Sequence, residues 1–168
     1  MDLRAIVDLL STISLIGGLV FAGVQLREAR RESRRQGQVQ VLRGFESLDF
    51  LRAMRLILAL PDDTPYEGFE ERLGPGNVDL VWFWLGAMES IGILVHDRFV
   101  DLHDVDETYG GPVVLSFRKL RAYVTGVRQA TGRESMHEWF EWLADQTARL
   151  EQERGREPAH VRERDWRP

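Results

Sequence analysis

The stretch that decides the topology of this chain is Leu9–Leu26, which reads LLSTISLIGGLVFAGVQL. All eighteen residues are uncharged. A helix of that length rises about 27 Å, close to the roughly 30 Å hydrocarbon core of a lipid bilayer. We therefore predict one transmembrane helix here, as part of a membrane-anchoring segment over residues 1–36.

The charges on either side of this apolar run predict its orientation. The only charged residues on its amino-terminal side are Asp2, Arg4 and Asp8. Its carboxyl-terminal side holds a cluster of five arginines: Arg27, Arg30, Arg31, Arg34 and Arg35. Because basic residues accumulate on the cytoplasmic side of membrane helices, we expect the N-terminus outside the inner (plasma) membrane and the bulk of the chain in the cytoplasm.

Two other interpretations of the apolar run fit less well. A cleaved signal peptide would carry its positive charge before the run and an Ala-x-Ala-like site after it. A buried helix of a soluble protein rarely stays uncharged over this length. The membrane anchor is therefore the favoured interpretation.

The anchor and the arginine cluster also predict partners. The arginines are expected to lie against anionic lipid headgroups, whereas an arm that binds nucleic acid would interleave aromatic residues for base stacking. Ser14, Gly18 and Ala22 recur every four residues. Small residues at that spacing let two transmembrane helices approach closely, so a homo-oligomer is a second expectation.

The chain beyond the anchor is acidic. Residues 61–151 carry eight basic residues against seventeen acids, a net charge of −9. Phosphate contacts need a cationic surface, so we expect no nucleic-acid partner. The sequence contains no cysteine, which excludes disulfides, thiolate metal sites and a cysteine nucleophile.

Apolar periodicity predicts helices through a cytoplasmic domain of residues 37–151. The first helix, Gln38–Leu60, ends at Pro61. Its predicted apolar face has spacings of three and four: Val41, Phe45, Leu48, Leu51, Met54 and Leu58. A short helix is then expected to start at Thr64 as N-cap, with Pro65 in the first position and Glu67 completing a capping box.

The next segment, Val78–Val95, is apolar enough to be considered as a second membrane span. Glu89 near its centre argues against that, because a carboxylate is costly in the middle of a bilayer. We favour the central helix of a soluble bundle, capped by Asn77.

Two further helices follow in the predicted bundle. Residues 101–109 are expected to form an acidic connector, and Gly110-Gly111-Pro112 to open a helix that Gly132 ends. Ser135 and Glu138 form a capping box for the last helix. No strand period occurs, so the fold class is all-α: one transmembrane helix followed by a small antiparallel bundle, with a flexible tail over residues 152–168.

Few residues suggest a catalytic or metal-binding site. Glu89 has apolar neighbours in its helix, and burial would raise the pKa of such a carboxyl group towards the range of a catalytic acid or base. His96 and His103 lie among acids in a stretch that could hold a metal, but helical metal-ligand spacing is missing. We predict no catalytic, cofactor or metal site, and we expect most tryptophans in the core, with an exposed one marking a partner surface.

The order of these elements resembles a known family. An apolar N-terminal helix leads into an arginine-rich continuation, followed by WFWLGAMESIGILVHDRFVDLHDVDETYGG, VLSFRKLRAYV and HEWFEWLADQ. Over roughly residues 5–150 this is similar to the small bacterial membrane proteins grouped as the domain of unknown function 4760 family. The resemblance implies a membrane anchor and a helical cytoplasmic domain, and it brings no assigned activity and no catalytic residues.

The sequence leaves three functional hypotheses. The favoured one is a membrane-tethered interaction, scaffold or sensor module that binds an unknown protein at the inner membrane face. The second is a small membrane-bound enzyme or metal protein that uses Glu89 and the cluster from His96 to Glu107. The third, which rests on architecture alone, is a membrane effector of a bacterial defence system.

Overall fold

Helices form all the regular secondary structure of the residues that the computed structural model describes. These are residues 47–155 and 159–167, together with Phe21, Ala22 and Gln25. The helices are α1 (Leu48–Leu58), α2 (Phe69–Leu73), α3 (Pro75–His96), α4 (Leu102–Thr131), α5 (Glu138–Glu153) and α6 (Ala159–Arg162). The predicted all-α class is confirmed.

The long helices α3 and α4 are joined by a short loop, and two other helices, α1 and α5, pack against both of them. Across the middle, the Trp84 indole nitrogen on α3 donates a hydrogen bond of 3.1 Å to the Ser116 hydroxyl on α4. Both side chains are fully buried, so this polar contact lies inside the apolar core and fixes how α3 and α4 face each other.

Helix α1 turns a different face to the core from the one predicted, and residues 38–46 of the predicted helix, with Val41 and Phe45, lie outside the described residues. The Ser47 hydroxyl accepts a hydrogen bond from the backbone nitrogen of Phe50 and so caps the helix. The buried residues are Phe50, Ala53 and Ile57. The predicted face was wrong for Leu48 and Leu51, which are exposed, because Phe50 stacks on Trp84 with ring centroids 4.8 Å apart and sets the rotation of the helix.

The segment between α1 and α2 is attached to α4 instead of opening a helix. Thr64 is buried, and its hydroxyl donates to the Pro61 carbonyl oxygen at 2.8 Å. Its backbone nitrogen donates to the Lys119 carbonyl oxygen at 2.9 Å. The capping box predicted at Thr64 was therefore wrong, and α2 begins only after Gly68, which has a left-handed φ of 66°.

Helix α3 begins three residues earlier than predicted. Pro75 occupies its first position, where the missing N–H costs nothing. Asn77 is not the cap, since its side-chain nitrogen donates to the Leu73 carbonyl oxygen at 2.8 Å.

The connector predicted over residues 101–109 is part of helix α4, apart from Asp101. The Asp101 carboxylate accepts a hydrogen bond of 2.9 Å from the His103 backbone nitrogen and caps the helix. Pro112 lies inside α4 and does not open a helix. Pro112 removes one backbone hydrogen bond from the helix. Val105 and Val113, on either side of it, are buried in the core, and the stability gained from their burial outweighs that loss.

The last residues of the described chain contact the start of α4. Arg154 forms ion pairs of 3.0 Å with Asp106 and Glu107. Arg162 in α6 pairs with Glu107 at 3.0 Å. These contacts lie in the segment for which the sequence predicts a flexible tail.

The predicted transmembrane helix lies outside the described residues except at three positions. Phe21, Ala22 and Gln25 are helical and exposed, and Phe21 has 65% of its surface accessible. Among the described helices, α3 is long and apolar enough to cross a membrane by length and composition.

Candidate interaction surface

One face of α3 is apolar and uncovered. Trp82, Phe83 and Ile93 expose 40%, 44% and 40% of their surfaces. Gly86 and Ser90 lie between them and are also exposed. Spacings of three and four residues place these five positions on one side of the helix, and we call them the α3 stripe.

The middle of the α3 stripe is flat and has no unsatisfied polar group of its own. A Cβ atom added at Gly86 would meet nothing within 4 Å. The Ser90 hydroxyl donates to the Gly86 carbonyl oxygen at 2.8 Å, so its donor is already satisfied. A glycine within a helix costs about 1 kcal/mol relative to alanine, and no contact within the described bundle explains that cost at Gly86.

Trp82 lies at one end of the stripe and packs against neighbouring residues of the bundle. Its indole lies beside the buried Tyr123 side chain on α4. The His137 ring packs beside it, with ring centroids 5.6 Å apart. A partly exposed tryptophan of this kind is typical of an interface anchor.

Glu89 on α3 caps the amino-terminal end of α5. Its Oε2 atom accepts a hydrogen bond of 2.9 Å from the Phe140 backbone nitrogen, and the Trp139 backbone N–H also bonds to the carboxylate. Burial raises the pKa of Glu89 from its ordinary value, while the two backbone donors act to lower it. The capping box predicted at Ser135 and Glu138 was wrong, because α5 is capped from the neighbouring helix.

His137 precedes α5 and is buried, with 8% of its surface exposed. Its φ of 56° lies in the left-handed region, and its side chain makes no capping hydrogen bond. Its Nε2 atom is buried without a hydrogen-bond partner among the described residues. Burial is the main cause that lowers the pKa of His137, and the nearby Arg128 guanidinium adds to it.

His96 and the α5 tryptophans form an aromatic cluster at the other end of α3. The His96 ring lies 4.6 Å from the Trp139 ring and 5.8 Å from the Trp142 ring, by centroids. The His96 Nδ1 atom contacts the Asp97 carboxylate at 2.9 Å. Beside this cluster lies an open cavity of about 560 Å³, whose lining includes Trp142 and Arg98.

His103 belongs to a separate charged network on α4. Its Nδ1 atom lies 3.9 Å from a Glu107 oxygen. Glu107 and Asp106 both pair with Arg154. Burial raises the pKa of Asp106, and Arg154 opposes that rise.

The sequence-predicted site residues are therefore not brought to one point. Glu89 is engaged with the backbone of α5, His96 with Asp97, and His103 with Glu107. Across the described part of the chain, no three His, Cys, Asp or Glu side chains converge where they could hold a metal ion.

The predicted membrane-surface and helix-packing residues fall almost wholly outside the described part of the chain. This applies to Ser14, Gly18 and the arginines Arg27, Arg30, Arg31, Arg34 and Arg35. Ala22 is described, and it is helical and exposed.

The sequence reasoning missed the α3 stripe. Trp84, two residues from Trp82, is fully buried as expected, but Trp82 is not. No clear sequence signal marked this side, because Gly86 is exposed whereas Gly92 in the same helix is buried against the Trp139 backbone.

The family comparison covers most of the chain. A family model described as domain of unknown function (DUF4760) matches residues 12–147. No curated protein matches this chain, and no solved structure matches it. The match begins inside the apolar run and ends inside α5, so the chain belongs to the DUF4760 family, a domain of unknown function.

Proposed function

We propose that this protein is a membrane-tethered protein-interaction module. The helix Leu9–Leu26 spans the inner membrane with its N-terminus outside, the arginine cluster lies against the headgroups, and the helical bundle lies at the cytoplasmic face. The family match supports joining these parts, since one family model covers residues of the apolar run and of the bundle together.

The membrane anchor is assigned to Leu9–Leu26 in preference to α3. Helix α3 contacts α1, α2 and α5, and Glu89 within it is hydrogen-bonded to the backbone of α5. A helix with these neighbours would have to leave its core contacts to enter lipid. Phe21, by contrast, is an aromatic residue in a helix with 65% of its surface uncovered, as expected for a side chain that faces lipid.

The observation that carries the interaction role is the exposed α3 stripe. Large apolar side chains that lie together on a protein surface mark a binding site more often than isolated ones do. Trp82 packs beside the His137 ring and leaves 40% of its surface exposed, so the stripe has an aromatic anchor. Glu89 is engaged in capping α5, so we do not propose it as a catalytic acid or base.

Photo-crosslinking in native membranes tests this role. The full-length chain carries p-benzoylphenylalanine in place of Phe83, or in place of Leu115 on α4, which is similarly exposed at 37%. We expect a protein adduct at position 83 and little or none at 115. Adducts to lipid alone at position 83, or equal protein adducts at both positions, would contradict an interaction role for the stripe.

A further inference from the structure

We propose that the open cavity at the carboxyl end of α3 binds a small aromatic carboxylate, with the carboxylate on Arg98 and the ring against Trp142. The cavity shares no residue with the α3 stripe, and this ligand site goes beyond the interaction role proposed above. Its volume of about 560 Å³ lies within the range of small-molecule sites in proteins, roughly 300–1,000 Å³.

Arg98 occupies a backbone position that favours glycine. It follows Asp97, the C-cap residue of α3, and its φ of 61° lies in the left-handed region. Its backbone nitrogen donates to the Val95 carbonyl oxygen at 3.0 Å, and the next backbone nitrogen, of Phe99, donates to the Leu94 carbonyl oxygen at 2.9 Å. This is the Schellman arrangement, which glycine usually completes because it has no Cβ atom. The hydrogen bonds that end α3 therefore make no use of the arginine side chain.

The Arg98 side chain is available to a ligand. Arg98 lines the cavity, and its guanidinium group makes no ion pair or hydrogen bond with any residue of 47–155 or 159–167. The two carboxylates nearest to it in the sequence have other partners. Asp97 contacts the His96 ring at 2.9 Å, and Asp101 accepts a hydrogen bond of 2.9 Å from a backbone nitrogen of α4. A planar guanidinium group with free donors can bind a carboxylate through two parallel hydrogen bonds.

Charge favours a carboxylate over a phosphate at this site. One guanidinium group neutralises one negative charge, and both Asp97 and Asp101 lie within three residues of Arg98. Their charges repel a dianion more strongly than a monoanion. A singly charged ligand group therefore suits Arg98 better than a phosphate monoester does.

The rest of the lining suits an aromatic ring. Trp142 on α5 is half-buried and lines the cavity, and the buried Val95 and Val100 add apolar surface. Gln146, one turn further along α5, also lines the cavity, and its carboxamide has no hydrogen-bond partner in the part of the chain that the structure describes. Apolar and aromatic walls with a few polar groups are typical of small-molecule sites.

Fluorine NMR of small probes tests the site in the full-length protein in detergent micelles, with empty micelles as the blank. The probe para-fluorobenzoate carries both the ring and the carboxylate. Three relatives each change one feature: para-fluorobenzamide lacks the charge, trifluoroacetate lacks the ring, and para-fluorophenyl phosphate carries a second charge. We expect para-fluorobenzoate to bind about tenfold more tightly than each of the other three.

Two substitutions at Arg98 separate binding from folding. Arg98→Gln should weaken the binding of para-fluorobenzoate about tenfold, because it removes the charged donor. Arg98→Gly should weaken it as much while leaving the melting temperature unchanged or higher, since glycine suits the left-handed backbone. Arg133→Gln removes another exposed arginine and is the matched control, which should leave binding unchanged.

The absence of para-fluorobenzoate binding, or equal binding by the wild type and Arg98→Gln, would overturn the site. Tighter binding of para-fluorophenyl phosphate would overturn the assignment to a carboxylate, and equal binding of trifluoroacetate would overturn the role of the aromatic wall. None of these outcomes bears on the α3 stripe, because the photo-crosslink at position 83 is measured independently of this cavity.

Discussion

The carboxylate of Glu89 on α3 and the backbone nitrogen of Phe140 on α5 lie 2.9 Å apart and form a hydrogen bond between two helices. A helix start leaves backbone N–H groups without partners inside the helix. His137, at the N-cap position, leaves them uncapped, and Glu89 supplies the acceptor from outside. The same contact therefore caps α5 and attaches it to the helix that carries the α3 stripe.

Glu89→Ala should lower the free energy of unfolding by about 1–2 kcal/mol, the usual cost of losing an N-cap. Glu89→Gln should cost less than half of that. It keeps an oxygen acceptor, and the raised pKa of Glu89 shows that burial already works against its charge. Urea unfolding of the full-length protein in detergent, followed by tryptophan fluorescence, measures both values.

Asp145→Ala removes an exposed carboxylate from α5, the helix that Glu89 caps, and serves as the control for Glu89. It should change the stability by less than about 0.5 kcal/mol. If Glu89→Gln were as damaging as Glu89→Ala, the carboxylate would be needed for something other than an oxygen acceptor.

His137→Asn should make the protein less sensitive to acid. Burial lowers the pKa of His137 below its ordinary value of 6.5, so the unfolded chain takes up a proton before the folded protein does. The free energy of unfolding contributed by this residue is therefore fully present above pH 6.5 and is lost as the pH falls towards the folded pKa.

Asparagine suits this position because it tolerates the left-handed backbone that His137 adopts. Stability curves at pH 7 and pH 5 should show a smaller drop for His137→Asn than for the wild type. Equal drops for the wild type and His137→Asn would show that this ring is not the acid-sensitive group.

Alanine substitutions at two glycines of α3 should change the stability of the protein in opposite directions. A Cβ at Gly92 would overlap the backbone carbonyl group of Trp139, so Gly92→Ala must push α5 away from α3. Overpacking of this kind costs about 1–3 kcal/mol. Gly86 faces open space, so Gly86→Ala should stabilise the isolated bundle by up to about 1 kcal/mol through helix propensity alone.

Thermal unfolding of the full-length protein in detergent measures the effect of each glycine substitution on stability. A melting temperature that falls with Gly86→Ala would contradict the exposed position described for this residue.

The helical class and most helix positions follow from the sequence, because an apolar period of three to four residues and the breaks at Pro61 and Gly132 are local signals. The first residues of the helices were harder to predict from the sequence. Asn77 and Ser135 both look like caps, yet Pro75 begins α3 and Glu89, from another helix, caps α5. The capping residue is 51 positions away in the sequence, so the residues near the start of α5 do not indicate it.

The exposed and buried faces were the hardest to predict. Helix α1 is apolar on two sides, and only the stacking of Phe50 on Trp84 decides which side turns inward. Pro112 and the glycines before it look like a helix start, but the burial of Val113 keeps α4 continuous through them. These outcomes depend on tertiary packing, which periodicity does not contain.

The most direct test of the tethered arrangement is carbonate extraction of membranes that contain the full-length protein. The wild type should remain in the membrane pellet, and so should Ala130→Arg, which adds a charge to the exposed side of α4. Val20→Arg places a charge within Leu9–Leu26 at a cost of about 2.5–3.5 kcal/mol, so it should move much of the protein into the supernatant. Recovery of the wild type in the supernatant, as a soluble particle without detergent, would contradict the account.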